Sequence, residues 1–573
     1  MKKIAKNGTI VLSLALIIAG CSGKKSLQEA KSDFNKTISA LSSYGIDAKS
    51  QKDKFVVEIK NSKLLSKRIL SNLNIYDIDG RYTNFLSSLI ASKKFGVDVD
   101  WNKYREHKAK SVYVYYLGDD KTSAHIKELI SKKAIGAYLT FNKDDKLTNI
   151  DFKDINDKYT TKNGIQNTLQ LTGANIVITP QEGEKQKYTL NSGKLTISDN
   201  KGNNLNFSGL KCDVDKDNAY LGSIKCQAPK MTGLFKNKRG NNSKLTIENI
   251  SIDSIAKAKS GKVNQDVKFL ISNLLVSNDN RQKTDIVLKN IKLNMQSLAS
   301  EDAYKKIYES YKNISSKKED MAKNLKIVFK TSANMMKDAE VKYDLGIDEF
   351  NVNNTKGNYK AIFKLSKYSQ NGNWNFKDKF GYGDTIKIDN INMNMMGKEI
   401  FNLKGLEYTT SLSNMYNFWP DYMTKIGDVM SKSANGKQPS PQEINKIFSE
   451  IGPKVVNNGF SYSIKPLKFD NLLVPDRKSG GNIELSKLLI NLDANLAKND
   501  IKLDNPQVAK MMLLKYLTAN SHIELSKKDF ETITAKSPQM MMLVMFAKFK
   551  GDKAIFDLEF KDGHLKVNGK PVM

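Results

Sequence analysis

The stretch Ile286-Val287-Leu288-Lys289-Asn290-Ile291-Lys292-Leu293 decides how this chain is read. Two apolar residues alternate, one position is skipped, and two more alternate in the opposite parity. A plain strand would carry the second pair to the wrong face, because side chains alternate with a period of two. One extra residue, accommodated as a β-bulge, restores a single apolar face, and a bulge of this kind suits a left-handed residue, a conformation Gly adopts freely and Asn better than most. The same pattern reads Leu245-Thr246-Ile247-Glu248-Asn249-Ile250-Ser251-Ile252 and Phe269-Leu270-Ile271-Ser272-Asn273-Leu274-Leu275-Val276. It returns with Gly209, Asn390, Gly405 and Asn471 at the fifth place, and more loosely with Glu349 and Lys487 there. The copies are irregularly spaced, which predicts a recurring strand type and not a solenoid of fixed period. The expected fold is α+β and β-rich: long antiparallel sheets of bulged strands, a few packing helices, and C-terminal helices followed by a β-hairpin.

Composition agrees with a folded chain. Among 573 residues there are 24 Phe and 23 Tyr, whereas disordered chains are poor in aromatics. The net charge is +31, from 92 Lys+Arg against 61 Asp+Glu. Only six of the basic residues are Arg, the side chain that reads bases and phosphates bidentately, so nucleic acid is not an expected partner. Two readings of the lysines stand: a solvated surface, or attraction to anionic lipid headgroups or envelope polymers.

The N-terminus carries an address. Lys2, Lys3 and Lys6 precede the apolar run Thr9 to Ala19, which is too short to span a bilayer, a task needing ~20 residues, and has the length of a secretory h-region. It ends in Ile18-Ala19-Gly20-Cys21, similar to a bacterial lipobox, so Cys21 is expected to be the first mature residue and to carry the lipid. The expected location is the cell envelope, anchored by acyl chains at the periplasmic face of the outer or inner membrane, with Ser22 favouring the outer. The expected organisation is a signal peptide over 1–20, a tether over 21–25, an N-terminal α+β region over 26–200 and a repeated-strand β region over 201–410. A helical insertion over 411–458 and a C-terminal α+β region over 459–573 complete it.

Helices interrupt the strands at few places. Ser26 and Glu29 form a capping box ahead of Leu27, Ala30, Phe34, Ile38 and Leu41 on one face, with Gly45 to end the helix. Ala303, Ile307, Tyr311 and Ile314 mark a second over 301–324, and Tyr416, Phe418, Trp419 and Tyr422 an aromatic-rich one over 414–432. Ser440-Pro441 opens another, which Gly452-Pro453 is expected to close. Residues 505–548 read as two or three short helices, with the run Met540 to Phe546 as core filler.

Three Cys and four His leave little for a metal centre or a disulfide scaffold. Cys212 and Cys226 lie on strand-like segments flanking a hairpin loop; in an oxidising envelope they pair, and otherwise they are two buried thiols. Asp213-Val214-Asp215-Lys216-Asp217-Asn218 starts like a calcium loop but lacks the Gly and the terminal Glu, and reads as a solvated turn. No nucleophile elbow, zincin motif or phosphate loop is present, so no catalytic residue, metal site or cofactor is expected.

The ending Phe556-Asp557-Leu558-Glu559-Phe560-Lys561-Asp562-Gly563-His564-Leu565-Lys566-Val567-Asn568-Gly569-Lys570-Pro571, with the apolar segment before it, resembles the C-terminus of the YdgA-like family. The repeated strands are similar too. The resemblance implies a bacterial envelope protein, anchored at its N-terminus and facing the periplasm; relatives look like they use an uncleaved apolar helix where this chain has a lipobox. It supplies no catalytic residues. The expected function is that of a non-enzymatic, membrane-anchored lipoprotein, either a scaffold or a sheet with a partly open apolar groove for amphiphiles. The alternative is an envelope polysaccharide-acting enzyme or solute-binding lipoprotein. Protein partners are not specified by the sequence.

Overall fold

The computed structural model describes residues 26–51, 54–72, 81–118, 124–144, 146–160, 164–182, 185–218, 220–236, 241–279, 282–312, 321–432, 440–476, 481–502, 506–536 and 544–572. The expected signal peptide and Cys21 lie outside them. The chain divides into two compact units: Met1–Arg239 with Glu248–Ala256 and Tyr308–Asn324, and Gly240–Ile247 with Lys257–Ile307 and Leu325–Met573. The expected boundary at residue 200 falls in a turn between two paired strands, and that at 410 falls inside the strand Lys398–Tyr416.

The first unit opens with helix α1 (Leu27–Ala40). Its capping box forms as expected: Ser26 Oγ accepts from the Glu29 amide, and the Glu29 carboxylate accepts from the Ser26 amide at 2.8 Å. Ala30, Phe34, Ile38 and Leu41 are buried, and Gly45 ends the following turn at φ 77°. The helix lies on an antiparallel run of strands, β1 (Ile46–Gln51), β2 (Lys54–Ile59), β3 (Lys94–Val99), β4 (Val112–Gly118), β5 (Gly136–Phe141) and β6 (Leu147–Phe152). Helices α2 (Ser62–Asn72), α3 (Arg81–Ile90), α4 (Trp101–Arg105) and α5 (Ala124–Ser131) come between them. Phe55, Val57, Phe95, Val97, Val114, Tyr116 and Leu139 form one closed core with Phe34, whose ring stands edge-on to Trp101 and Tyr104. The sheet continues through β7 (Ile155–Thr160), β8 (Gln166–Thr179), β9 (Gln186–Asp199), β10 (Asn204–Phe207), β11 (Lys211–Lys216) and β12 (Gly222–Lys236). The next strand, β13 (Asn242–Lys259), contributes residues to both units.

The second unit is built on long strands: β14 (Lys262–Asp279), β15 (Lys283–Ser300), β16 (Glu340–Lys356), β17 (Tyr359–Asn375), β18 (Lys379–Met395) and β19 (Lys398–Tyr416). Each pairs antiparallel with the next. β20 (Phe460–Phe469), β21 (Asn471–Pro475), β22 (Asn482–Leu485) and β23 (Leu488–Leu496) extend the sheet, followed by β24 (Leu517–Ser526), β25 (Lys548–Lys550), β26 (Lys553–Lys561) and β27 (His564–Val567). Asp562 (φ 52°) and Gly563 (φ 79°) make the expected tight turn between β26 and β27.

The helices from residue 301 onward are α6 (Glu301–Lys312), α7 (Met321–Met335), α8 (Trp419–Lys432), α9 (Pro441–Asn458), α10 (Pro506–Leu513) and α11 (Lys527–Lys536), of which the end of α6 and the start of α7 belong to the first unit. Ile314, read as part of the α6 face, lies outside the described residues. Two sequence expectations are corrected. α9 does not stop at Gly452-Pro453; it runs on to Asn458 and ends at Gly459. A proline inside a helix forfeits one backbone bond, but here contacts across α8 and α9 hold the helix on both sides of it. Lys425 pairs with Glu450 before Pro453, and Lys454 with Asp421 at 2.7 Å after it. Between α10 and α11, where the sequence predicts helix, lies the strand β24; Leu517, Ala519, Ile523 and Leu525 alternate on one side, and Ser521 interrupts the apolar set. Of the methionine run, residues 540–543 lie outside the described residues. Met545 is 65% exposed, while Phe546 packs on the small core of Leu525, Phe530, Ala554 and Phe556.

Candidate functional site: an apolar sheet face

The repeated motif acts across strands. On the strands of the second unit the two apolar pairs of each copy meet those of the neighbours as lines perpendicular to the chain. One line runs Leu274, Leu288, Phe350, Leu365, Ile391, Leu403, Leu472 and Leu485, each the direct cross-strand partner of the next. Beside it run Val276, Ile286, Val352, Phe363, Met393 and Phe401. On the other side of the skipped position, Phe269, Leu293 and Leu345 lead through Gln370 to Ile386, Tyr408 and Leu467. A fourth line contains the pair Ile271 and Ile291, and then Tyr368, Ile388 and Leu406 beyond Ile347. Aromatic and branched cross-strand pairs of this kind contribute roughly 0.2–1 kcal/mol each.

The parity switch between the two halves works differently from the expected bulge. An inserted residue on one strand alone would shift the register. Here Ile271 faces Ile291 and Asn273 faces Lys289, so the register is unchanged across the skipped pair Ser272 and Asn290. Each strand gives up one residue at the same line, and the sheet changes parity collectively. The left-handed residue falls on alternate strands: Asn290 (φ 50°) on β15, Lys367 (φ 47°) on β17 and Gly405 (φ 64°) on β19. Opposite each sits an acidic residue. Asn290 Nδ2 donates to Asp348 Oδ2 at 2.7 Å, Lys367 Nζ lies 3.0 Å from Asp389 Oδ2, and a Cβ on Gly405 would meet the Asp470 carboxylate at 2.0 Å. Asn273, Asn390 and Asn471, which occupy the same motif place on the intervening strands, are not left-handed. The αL role therefore belongs to every second strand, and Lys367 fills it in a strand whose copy lacks Asn or Gly.

The first unit has a related parity change that reaches beyond the copies read from the sequence, with left-handed glycines on adjacent strands rather than alternate ones. Gly173 (φ 71°) on β8 and Gly193 (φ 70°) on β9 face each other between the pairs Thr172 with Lys194 and Ala174 with Ser192. Gly209 (φ 104°) stacks next, close enough that a Cβ would lie 2.8 Å from the Gly193 carbonyl oxygen. Asp154 accepts from the Gly173 amide at 2.9 Å. Leu169, Leu171, Gly173, Ala174 and Ile176 give the motif's spacing, the signal that could have located it.

The two faces of the β14–β19 sheet differ in chemistry. Between the apolar lines on one face, Lys289 pairs with Glu349 at 2.5 Å on the other. Glu407 is held by Lys468 at 2.8 Å and Lys387 at 3.1 Å, which keep its carboxyl below the usual range, Lys468 most strongly. The apolar lines over β14–β19 stay half-exposed, and Ile388 alone among their described residues is buried. Met393 is 39% exposed. Helices bury the sheet elsewhere: Met335 of α7 and Trp419 of α8 cover the strand ends at Ala299, Ala339, Phe376 and Phe380.

Cys212 and Cys226 are direct partners on β11 and β12, with Cα atoms 4.1 Å and sulfurs 2.17 Å apart. The acidic segment read as a turn is mostly strand β11, where Asp215 pairs with Lys187 at 2.8 Å and Asp213 accepts from Thr189 at 2.6 Å. His522 and Asp557 meet at 2.7 Å on the polar face of β24 and β26. No group of three or more His, Cys, Asp or Glu among the described residues is placed to hold a metal ion. No helix among them is long and apolar enough to cross a membrane. Comparison with protein-family models, curated proteins and solved structures finds no match.

Proposed function

We propose that this protein binds amphiphiles, holding acyl chains against the apolar face of the β14–β19 sheet, as a lipid-anchored protein of the bacterial envelope related to the YdgA-like family. The observation that carries the reading is the set of apolar lines left half-exposed on a sheet whose other face is charged. Monomeric proteins rarely expose a contiguous apolar patch beyond a few hundred Å² without using it. Aliphatic lines of Leu, Ile and Val suit saturated chains, and the lysine excess suits an anionic head. Binding here is a non-enzymatic function, and a lipid anchor at Cys21 would hold the chain at a membrane, which is a source of lipid.

The test is native mass spectrometry of protein extracted from its membrane without added lipid, followed by titration of the delipidated chain with a fluorescent fatty acid. Co-purified acyl species and saturable binding are expected. Protein that carries no lipid and takes up none would leave a scaffold role instead.

A further inference from the structure

The apolar face ends beneath a helix. On β23, Leu488 and Ile490 continue the lines described above, and Ala494 and Leu496 follow on the same side by the period of two. There α10 crosses, and between it and the sheet lies a cavity of about 480 Å³. Phe460, Ala494, Leu496 and Leu517 form its floor, and Ala509 and Leu513 its roof. Lys510 is the one charged residue in the described lining, and it is exposed to solvent. The volume is within the ~300–1,000 Å³ of small-molecule sites.

The helix itself has an unusual surface. Ala509 and Leu513 face the cavity, yet Val508, Met511 and Met512 on its other sides are 51%, 72% and 43% exposed. A helix apolar on most sides is ordinarily buried. One that is not suits the boundary between an apolar phase and water, with Lys510 keeping its ammonium in the aqueous layer.

We propose that this cavity takes the chain of a single-chain anionic amphiphile, with Lys510 over the acidic head and α10 as the element that touches the amphiphile source. The proposal rests on the amphiphile-binding reading and specifies it. One ammonium and one apolar cavity match one head and one chain, and the cavity's position at the end of the face makes it the terminus of that surface.

The experiment is photo-crosslinking of the full delipidated chain with a diazirine-bearing fatty acid, with labelled peptides mapped by mass spectrometry. Labelling is expected within 506–517 and around Phe460 and Leu496, saturating with dose. Lysophosphatidylglycerol should compete, and a neutral monoacylglycerol should compete at least fivefold less well. Each added methylene should tighten binding about fourfold, the equivalent of ~0.8 kcal/mol per CH₂ buried. Ala509→Trp, which fills the cavity, should abolish pocket labelling. Lys510→Glu, at an exposed position, should weaken it at least fivefold with the melting temperature unchanged, and it carries the test if Ala509→Trp fails to fold. Labelling confined to β14–β19 would overturn the pocket and leave the sheet-face reading intact. Saturable labelling nowhere would overturn both.

Discussion

The α1–β6 region and the β14–β19 region use similar apolar alternation to opposite ends. In the first, Val57, Phe95, Val97, Val112 and Val114 are fully buried, because α1 lays Phe34 and Ile38 over the sheet. In the second, longer strands with as regular an apolar face stay half-exposed, because their helices gather at the strand ends around Phe376 and Phe380. Alternation specifies which face is apolar. Whether that face is sealed depends on where the chain spends its helices.

The contrast can be broken most directly by truncation. Phe34→Ala should cost about 3–5 kcal/mol, as loss of a buried aromatic does, while Leu288→Ala should cost about 1–2 kcal/mol, since a half-exposed leucine forfeits only part of its ~1.5–3 kcal/mol burial term. Urea melts of each variant read both. Equal losses would mean that Leu288 is covered. Replacing Cys212 and Cys226 together by Ser should lower stability by about 3 kcal/mol, the loop-closure value for a short bridge, and non-reducing peptide mapping should recover the two as one linked peptide. Quantitative alkylation of both thiols without reductant would reject the pairing.

The αL line sharpens the comparison at a smaller scale. Gly405→Ala should destabilise by about 1–2 kcal/mol, because an L residue is strained at φ 64° and its Cβ meets Asp470. Lys367→Gly should relieve similar strain and be neutral or stabilising, since its pair with Asp389 is solvent-exposed and contributes little. If the two changes move the melting temperature in the same direction, the alternate-strand account fails.

The smallest effect is that of pH on α8 and α9. Asp421 is held below the ordinary carboxylate value chiefly by Lys454, then by Tyr416, against burial. Its contribution is complete above the unfolded value of ~3.9 and is lost as pH falls through the lower folded value. Lys454 is raised by Asp421, so its share holds below the unfolded lysine value and is lost as pH rises through the raised one. Protection of the α8 and α9 amides against hydrogen exchange, corrected for the intrinsic rate, should therefore fall below about pH 4, and Asp421→Asn should reduce that dependence while leaving the shares of Glu443 and Glu450.

Much of this fold is legible in the sequence. The capping box at Ser26 and the Asp562-Gly563 turn are local signals and form where they read, whereas the strand motif lies within one strand at Asn249, Asn273, Asn290, Asn390 and Gly405 and across two at Gly209, Asn471 and Lys487. The collective parity switch is not legible from one copy, because it exists only when neighbouring strands skip a residue at the same line. Lys367 hides it, since nothing in a lysine announces a left-handed backbone. Gly173 carries the motif's spacing but sits outside the run of Asn-marked copies, and Gly193 lacks that spacing, with Thr189, Asn191, Lys194 and Thr196 at the apolar places. The continuation of α9 through Pro453 depends on the Lys454 contact with Asp421, which is remote in sequence. The cavity under α10 is invisible for the same reason: its floor and roof come from four segments.

The central claim, an apolar face open to amphiphiles, is tested most directly by cysteine accessibility. Leu288→Cys and Val57→Cys, each in the full chain, would be labelled with a maleimide in the absence and presence of decanoate. The account predicts rapid labelling at Leu288→Cys, protection there by decanoate, and no labelling at Val57→Cys until the protein unfolds. Labelling at Leu288→Cys as slow as at Val57→Cys, or labelling that decanoate leaves unchanged, would contradict it.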